Sequence, residues 1–189
     1  MRRVIFLALL TLTWMVDAQE ARAQEYPLTP DPATCDADPI DIEALVVAAA
    51  SPVPTTSPEA VPEERRNASP RVLDELMQVV VGSVACTNAN QPLRALSYFT
   101  EDYLLTRISD EPAVTLGSLE AASTRDPAVA PVEDRVTIEV IEMVTSWDGG
   151  AEVALLWSSG KDQLARVGLR FRQVDGDWKI DDVIEADGA

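Results

Sequence analysis

The chain has 189 residues and a net charge of −17, from 15 basic and 32 acidic side chains. A surface of this charge repels nucleic acid and anionic lipid, so neither is an expected partner. Histidine is absent, which removes the commonest general base and the commonest transition-metal ligand. No calcium-loop motif occurs either, so the composition predicts neither a metal site nor a cofactor.

The N-terminus has the three parts of a secretion signal. Arg2 and Arg3 precede an apolar run at residues 4–16, and Ala21-Arg22-Ala23 is a small-x-small cleavage site. The run is shorter than the roughly 20 residues that a membrane span requires. We therefore expect a signal peptide at residues 1–23, cleavage after Ala23, a secreted or cell-envelope (periplasmic) location, and no membrane contact afterwards. Retention of the segment as a membrane anchor is the alternative.

Two cysteines remain after this cleavage, Cys35 and Cys86. An even pair in an exported chain favours a disulfide over two free thiols. The bridge would close a loop of about 50 residues, worth about 4 kcal/mol in the chain-entropy model. We expect it to tether the N-terminal segment to the folded domain.

Residues 24–68 are rich in Pro and acidic residues and are predicted to be a partly disordered linker. Four prolines in residues 51–64 block helix and sheet hydrogen bonding and favour an extended chain. A short helix is expected at residues 40–50, beginning after Asp41. A single domain at residues 69–189 then follows.

The domain begins with helical patterns. Ser69 and Pro70 are a cap residue and a first-turn proline, and apolar residues recur at helical spacing to about Thr87. Pro92 opens a second short helix. Residues 103–108 are short, apolar and alternating, which we interpret as a strand or an extended arm. One or two helical turns are expected at residues 118–123 within a segment that otherwise reads as loop.

Four strands are predicted after the helices, at residues 136–147, 152–157, 165–172 and 178–184. Turn signals rich in Gly and Asp separate them. In the third strand, apolar residues at 165, 167, 169 and 171 alternate with Arg166, Gly168, Arg170 and Arg172. That strand should have one buried and one cationic face, with Glu139, Glu142 and Glu152 offering cross-strand partners. The pattern predicts an α+β fold with helices packed on one face of an antiparallel sheet.

The phrases ACTNANQPLRALSYFTEDYL and GLRFRQVDGDWKIDDVIEA, together with the order of the elements, resemble the nuclear transport factor 2-like superfamily, which includes SnoaL-like proteins. The resemblance covers residues 69–186. It implies cone-shaped helices packed on a curved antiparallel sheet. The superfamily contains isomerases, dehydratases, cyclases and epoxide hydrolases, as well as domains that only bind or pair.

Two functions are compatible with this resemblance. Ketosteroid isomerase-like members use a Tyr and two carboxylic acids that have no counterparts at the matching positions here, and the His of other members is absent. A non-catalytic module for small-molecule binding or self-association is therefore favoured, and no catalytic residue is assigned. A homodimer would form through the sheet face. The alternative is a His-free SnoaL-like enzyme with Tyr103, Asp102 or Glu101 as acid-base groups.

Three residues are candidates for ligand binding. If residues 103–107 are extended, Tyr103 and Arg107 share a face that points into the cone, where they would suit an anionic ligand. Trp157 alternates with Val153 and Leu155 and would supply an aromatic wall for an apolar ligand. The alternative is structural: Tyr103 and Trp157 lie in packed faces and Arg107 forms an ion pair.

Overall fold

The computed structural model describes residues 27–49, 66–110, 112–124, 128–159 and 164–185. The predicted signal segment and the proline-rich run at residues 51–64 lie outside these ranges. The helices are α1 (Ile42–Ala49), α2 (Pro70–Asn88), α3 (Pro92–Leu96), α4 (Glu101–Asp110) and α5 (Pro112–Ser123). The strands are β1 (Arg66–Asn67), β2 (Val136–Trp147), β3 (Gly150–Ser159), β4 (Leu164–Val174) and β5 (Asp177–Glu185). Among the described residues, none of the helices combines the length and apolarity that crossing a membrane requires.

Helix α2 begins where its sequence signals place it. The Ser69 hydroxyl accepts a 3.3 Å hydrogen bond from the Val72 amide, and Pro70 occupies the first turn. The helix ends at Asn88, one residue beyond the predicted Thr87. Asn90 then adopts a left-handed φ of 55°, which turns the chain into α3. Both predicted helices, α2 and α3, are therefore confirmed.

Helix α4 corrects the prediction of an extended arm at residues 103–108. The Thr100 hydroxyl accepts from the Tyr103 amide at 3.2 Å, and Glu101 and Asp102 lie in the first turn, where the helix dipole favours negative charge. Leu104, Leu105 and Ile108 are buried on one side of this helix. A cap followed by two acids is a helix-start signal, and it outweighs the short alternation that suggested a strand.

The strands form an antiparallel sheet in the order β1-β2-β3-β4-β5. Val167, Leu169 and Phe171 of β4 are buried, as their alternation predicts, and pack with Leu76 and Val80 of α2. We call this the helical face of the sheet and the opposite side the outer face. The α+β class with helices packed on one face of the sheet is thus confirmed.

The three arginines of β4 have carboxylate partners. Arg166 pairs with Glu142 of β2 at 2.6 Å, which is one of the predicted cross-strand pairs. Arg170 pairs instead with Asp182 of β5 at 3.4 Å. Arg172 contacts Asp102 of α4 at 2.6 Å and Asp181 at 2.9 Å. Because these pairs are partly exposed, each contributes at most about 1 kcal/mol to stability.

Residues 27–49, which we call the strap, pack on the domain. Leu28 and Ile138 exchange two backbone hydrogen bonds of 2.8 Å, which extends the edge of β2. The predicted disulfide between Cys35 and Cys86 is present and joins the strap to the buried side of α2. Further along, the expected short helix forms α1, whose Leu45 packs against residues of α4 and α5. The strap therefore crosses from the edge of the sheet to the helical layer.

Asn88 joins three segments at the end of α2. Its amide nitrogen donates to the carbonyl oxygens of Pro30 and Val136, each at 3.1 Å. Its amide oxygen accepts from the Val136 amide at 2.8 Å. The side chain is only 1% exposed, so backbone groups of the strap and of the start of β2 are satisfied by this one residue of α2.

Candidate apolar binding cavity

A partly open cavity of about 420 Å³ lies between the helices and the helical face of the sheet. Its volume falls within the range of roughly 300–1,000 Å³ that is typical of small-molecule sites. The sheet contributes Val136, Trp157, Leu169, Ile180 and Val183 to the wall. The helical layer contributes Val80, Ser83, Val84, Thr87, Ala95 and Phe99, among others.

The helical wall follows from the spacing of residues along α2. Val80, Ser83, Val84 and Thr87 recur at intervals of three and four residues, so they share one side of the helix. That side faces the sheet because Val80 and Val84 belong to the main hydrophobic core.

The two aromatic residues of the cavity lining, Trp157 and Phe99, come from different parts of the fold. Trp157 lies on β3 two residues beyond the buried Leu155, so the alternation of the strand places it on the helical face. Phe99 lies in the link between α3 and α4. That link is held to β5 by hydrogen bonds of 2.8 Å from the Thr100 amide to the Ile180 carbonyl and from the Ile180 amide to the Tyr98 carbonyl. Two aromatic rings on rigid segments therefore help to line the cavity.

The lining is uncharged. Among the described residues, those that line the cavity include no Asp, Glu, Lys, Arg or Tyr. Their polar side chains are Ser83, Thr87 and Asn90. A wall of this kind can desolvate an apolar molecule, and its described side chains include no acid or base for proton transfer near neutral pH.

The three predicted ligand-binding residues lie in different places. Trp157 lines the cavity. Tyr103 lies on α4 and stacks on Phe99, with ring centroids 5.2 Å apart, but it does not line the cavity itself. Arg107 is exposed on α4 and is also outside the lining. The extended arm predicted to carry Tyr103 and Arg107 is instead helix α4. Residues four apart on a helix share a side, and neither of these two residues lines the cavity.

The acidic residues considered as acid-base groups are also outside the cavity. Glu101 and Asp102 are exposed in the first turn of α4. The Asp102 carboxylate accepts a hydrogen bond from Arg172, and this contact, ahead of the charge of Asp181, raises the pKa of the arginine. Asp102 therefore belongs to the ion-pair network on the surface.

A wider and more open groove of about 630 Å³ lies between α2, the strap and the turn from β4 to β5. The ring of Tyr98 rests against Gly82 in this groove, where a Cβ atom would collide with it. Burial, and then the charge of Asp36, raise the pKa of Tyr98.

Several polar groups of the groove are already bound to other parts of the protein. The Glu75 carboxylate accepts from Arg71 at 2.8 Å and from the Trp178 indole at 3.1 Å, and both bonds lower its pKa. Lys179 donates to the Ser97 carbonyl at 2.7 Å. The groove is therefore an internally paired surface, and the smaller cavity is the stronger candidate site.

Comparison with family models, with curated proteins and with solved structures finds no match for this chain. The described residues also contain no group of three or more His, Cys, Asp or Glu side chains arranged to hold a metal ion. The class that fold and site define is thus a helix-on-sheet α+β domain with an uncharged internal cavity.

Proposed function

We propose that this chain is an exported, non-catalytic module of the nuclear transport factor 2-like fold that binds an uncharged apolar small molecule. In this proposal the helices form a cone against a curved sheet, and the ligand occupies the cavity between them. One observation carries the proposal: the cavity is of ligand size and is lined by apolar and neutral side chains.

The lining also supports an uncharged ligand over an anionic one. Arg107, the cation suggested for an anionic ligand, is exposed on α4 and outside the cavity. A buried carboxylate without a cationic partner would carry a large desolvation cost. The same lining favours binding over a His-free SnoaL-like reaction, because Glu101, Asp102 and Tyr103 do not contribute to it.

Export is supported by the signal pattern at residues 1–23 and by the disulfide. Cys35 and Cys86 are bonded, and disulfides persist mainly in oxidising compartments. A secreted or cell-envelope location is therefore part of the proposal.

Filling the cavity should weaken binding strongly. Val183 lies on the sheet side of the cavity and is half-buried, so Val183→Phe adds a ring to the ligand space. We expect the affinity for the neutral fluorescent probe 1-aminoanthracene to fall about tenfold or more, because the core has little room to repack around it. Fluorescence titration of the mature, disulfide-bonded chain measures this.

The matched control is Val174→Phe, the same substitution at an exposed strand position outside the cavity lining. It should leave probe affinity unchanged. Equal affinity in both variants, or no binding of the probe by the wild type, would contradict the proposed site.

Self-association is a second candidate function, favoured by the outer face of the sheet. Val140, Met143 and Ile184 are 39%, 43% and 37% exposed there, which leaves an apolar strip uncovered by the described helices. Charges of both signs border the strip, including Arg166 with Glu142 and Arg170 opposite Glu152. In a chain of net charge −17, this locally balanced face can meet a second copy of itself without strong repulsion.

A charge in the strip should separate such a dimer. Met143→Glu places carboxylates near each other across a two-fold interface, so we expect the wild type to sediment as a dimer and the variant as a monomer. Val47→Glu is the control, since Val47 is 69% exposed on α1, away from the sheet. A monomeric wild type at tested concentrations, or a dimeric Met143→Glu variant, would refute pairing through this face.

A further inference from the structure

Ser83 is the one buried polar side chain in the described lining of the cavity. It is 9% exposed, in a wall that is otherwise mostly aliphatic and aromatic. Buried hydroxyl groups normally have a well-formed hydrogen bond, because burial without one costs free energy. The hydrogen bonding of the Ser83 hydroxyl therefore bears on the chemical class of the ligand.

Within the described part of the chain, the Ser83 hydroxyl makes a single hydrogen bond, to the Ala95 carbonyl at 3.5 Å. That distance is at the outer limit for an O–H donor, whose bonds normally measure about 2.7–2.8 Å. The Ala95 carbonyl also accepts from the Tyr98 amide at 3.4 Å, so it keeps a partner if Ser83 rotates away. The hydroxyl is thus held weakly and its lone pairs accept no bond from the described residues.

The Thr87 hydroxyl, one helical turn further along α2, also lines the cavity but has an ordinary hydrogen bond. Thr87 is exposed and donates to the Ser83 carbonyl at 3.0 Å, an ordinary bond within the helix. Ser83 is therefore the better-placed group for a ligand inside the cavity.

We infer that the ligand is an apolar molecule with one neutral oxygen, an alcohol or a ketone, which hydrogen-bonds to Ser83. This inference rests on the proposed function and adds the chemical class of the ligand. The apolar wall supplies most of the binding, and Ser83 selects the oxygen-bearing molecule and its orientation. A hydroxyl can donate to a ketone and can either donate to or accept from an alcohol.

The test uses two probes of nearly equal shape, 2-naphthol and 2-methylnaphthalene, titrated against the mature chain. The measured quantity is the ratio of their affinities, because it cancels the contribution of the apolar ring. Ser83→Ala should lower the preference for 2-naphthol by roughly three- to tenfold, the range of one neutral hydrogen bond. The affinity for 2-methylnaphthalene should stay nearly constant.

Ser97→Ala is the matched control. Ser97 lies outside the cavity lining, and its hydroxyl donates to the Arg94 carbonyl at 2.7 Å, so the affinity ratio should not change. Thermal unfolding of each variant confirms that it is folded at the titration temperature. If both probes bind and Ser83→Ala leaves the ratio unchanged, the role of Ser83 is refuted while the cavity stands. If neither probe binds the wild type, the proposed function fails and this inference fails with it.

Discussion

Removing the disulfide is expected to lower the free energy of unfolding by about 4 kcal/mol. Cys35 and Cys86 are 51 residues apart in sequence, and cross-linking a loop of this length restricts the unfolded chain by about that amount. In the folded protein the strap keeps its other contacts, including the Leu28–Ile138 pairing and the bond from Arg94 to the Ala37 carbonyl at 2.6 Å. The loss should therefore arise mainly from the greater freedom of the unfolded state.

Urea unfolding of a Cys35→Ser/Cys86→Ala variant measures this loss. With a slope of about 2 kcal/mol per molar, the midpoint should fall by about 2 M, and the slope should rise because the unfolded chain exposes more surface. Dithiothreitol should reproduce the shift in the wild type and do nothing to the variant. A difference below about 1 kcal/mol would contradict the chain-entropy account for this bridge.

Asn88→Ala is expected to cost about 3 kcal/mol of stability, because it leaves several buried backbone groups without a partner. The lost contacts are the bonds of 3.1 Å to the Pro30 and Val136 carbonyls and the bond of 2.8 Å from the Val136 amide. Water has little access to this position, since the side chain is 1% exposed. The strap and the first residues of β2 should both undergo local unfolding more readily.

The control for Asn88 is Asn67→Ala, the same substitution at an exposed position in β1, which should change stability by less than about 0.5 kcal/mol. Hydrogen exchange adds a local readout, because the amides of Leu28 and Val136 should lose protection in Asn88→Ala and keep it in Asn67→Ala. Similar unfolding midpoints for the two variants would show that Asn88 does not join these segments energetically.

The two regions predicted most accurately had strong local signals. Helix α2 has a capping serine, a proline in its first turn and a long apolar repeat, and each of these favours the same start. Strand β4 alternates through Val167, Leu169 and Phe171, and this period places one face in the core in any antiparallel arrangement.

Helix α4 was missed because its apolar pattern is short and fits two periods. Tyr103, Leu105 and Arg107 alternate like a strand, whereas Leu104, Leu105 and Ile108 fit a helix. A short run of this kind cannot be assigned by periodicity alone. The cap at Thr100 was the available signal, and using it would have replaced the predicted extended arm with a helix.

By itself, the sequence determined the helix-then-strand order, the buried face of β4 and the pairing of Cys35 with Cys86, because each depends on local periodicity or on the only available partner. The tertiary structure alone decided that a cavity remains between α2 and the sheet and that Ser83 lies in its wall. A cavity is the space left after side chains from distant segments have packed, so no local pattern encodes its volume. The same holds for Asn88, whose partners Pro30 and Val136 are 58 and 48 residues away and meet only in the folded chain.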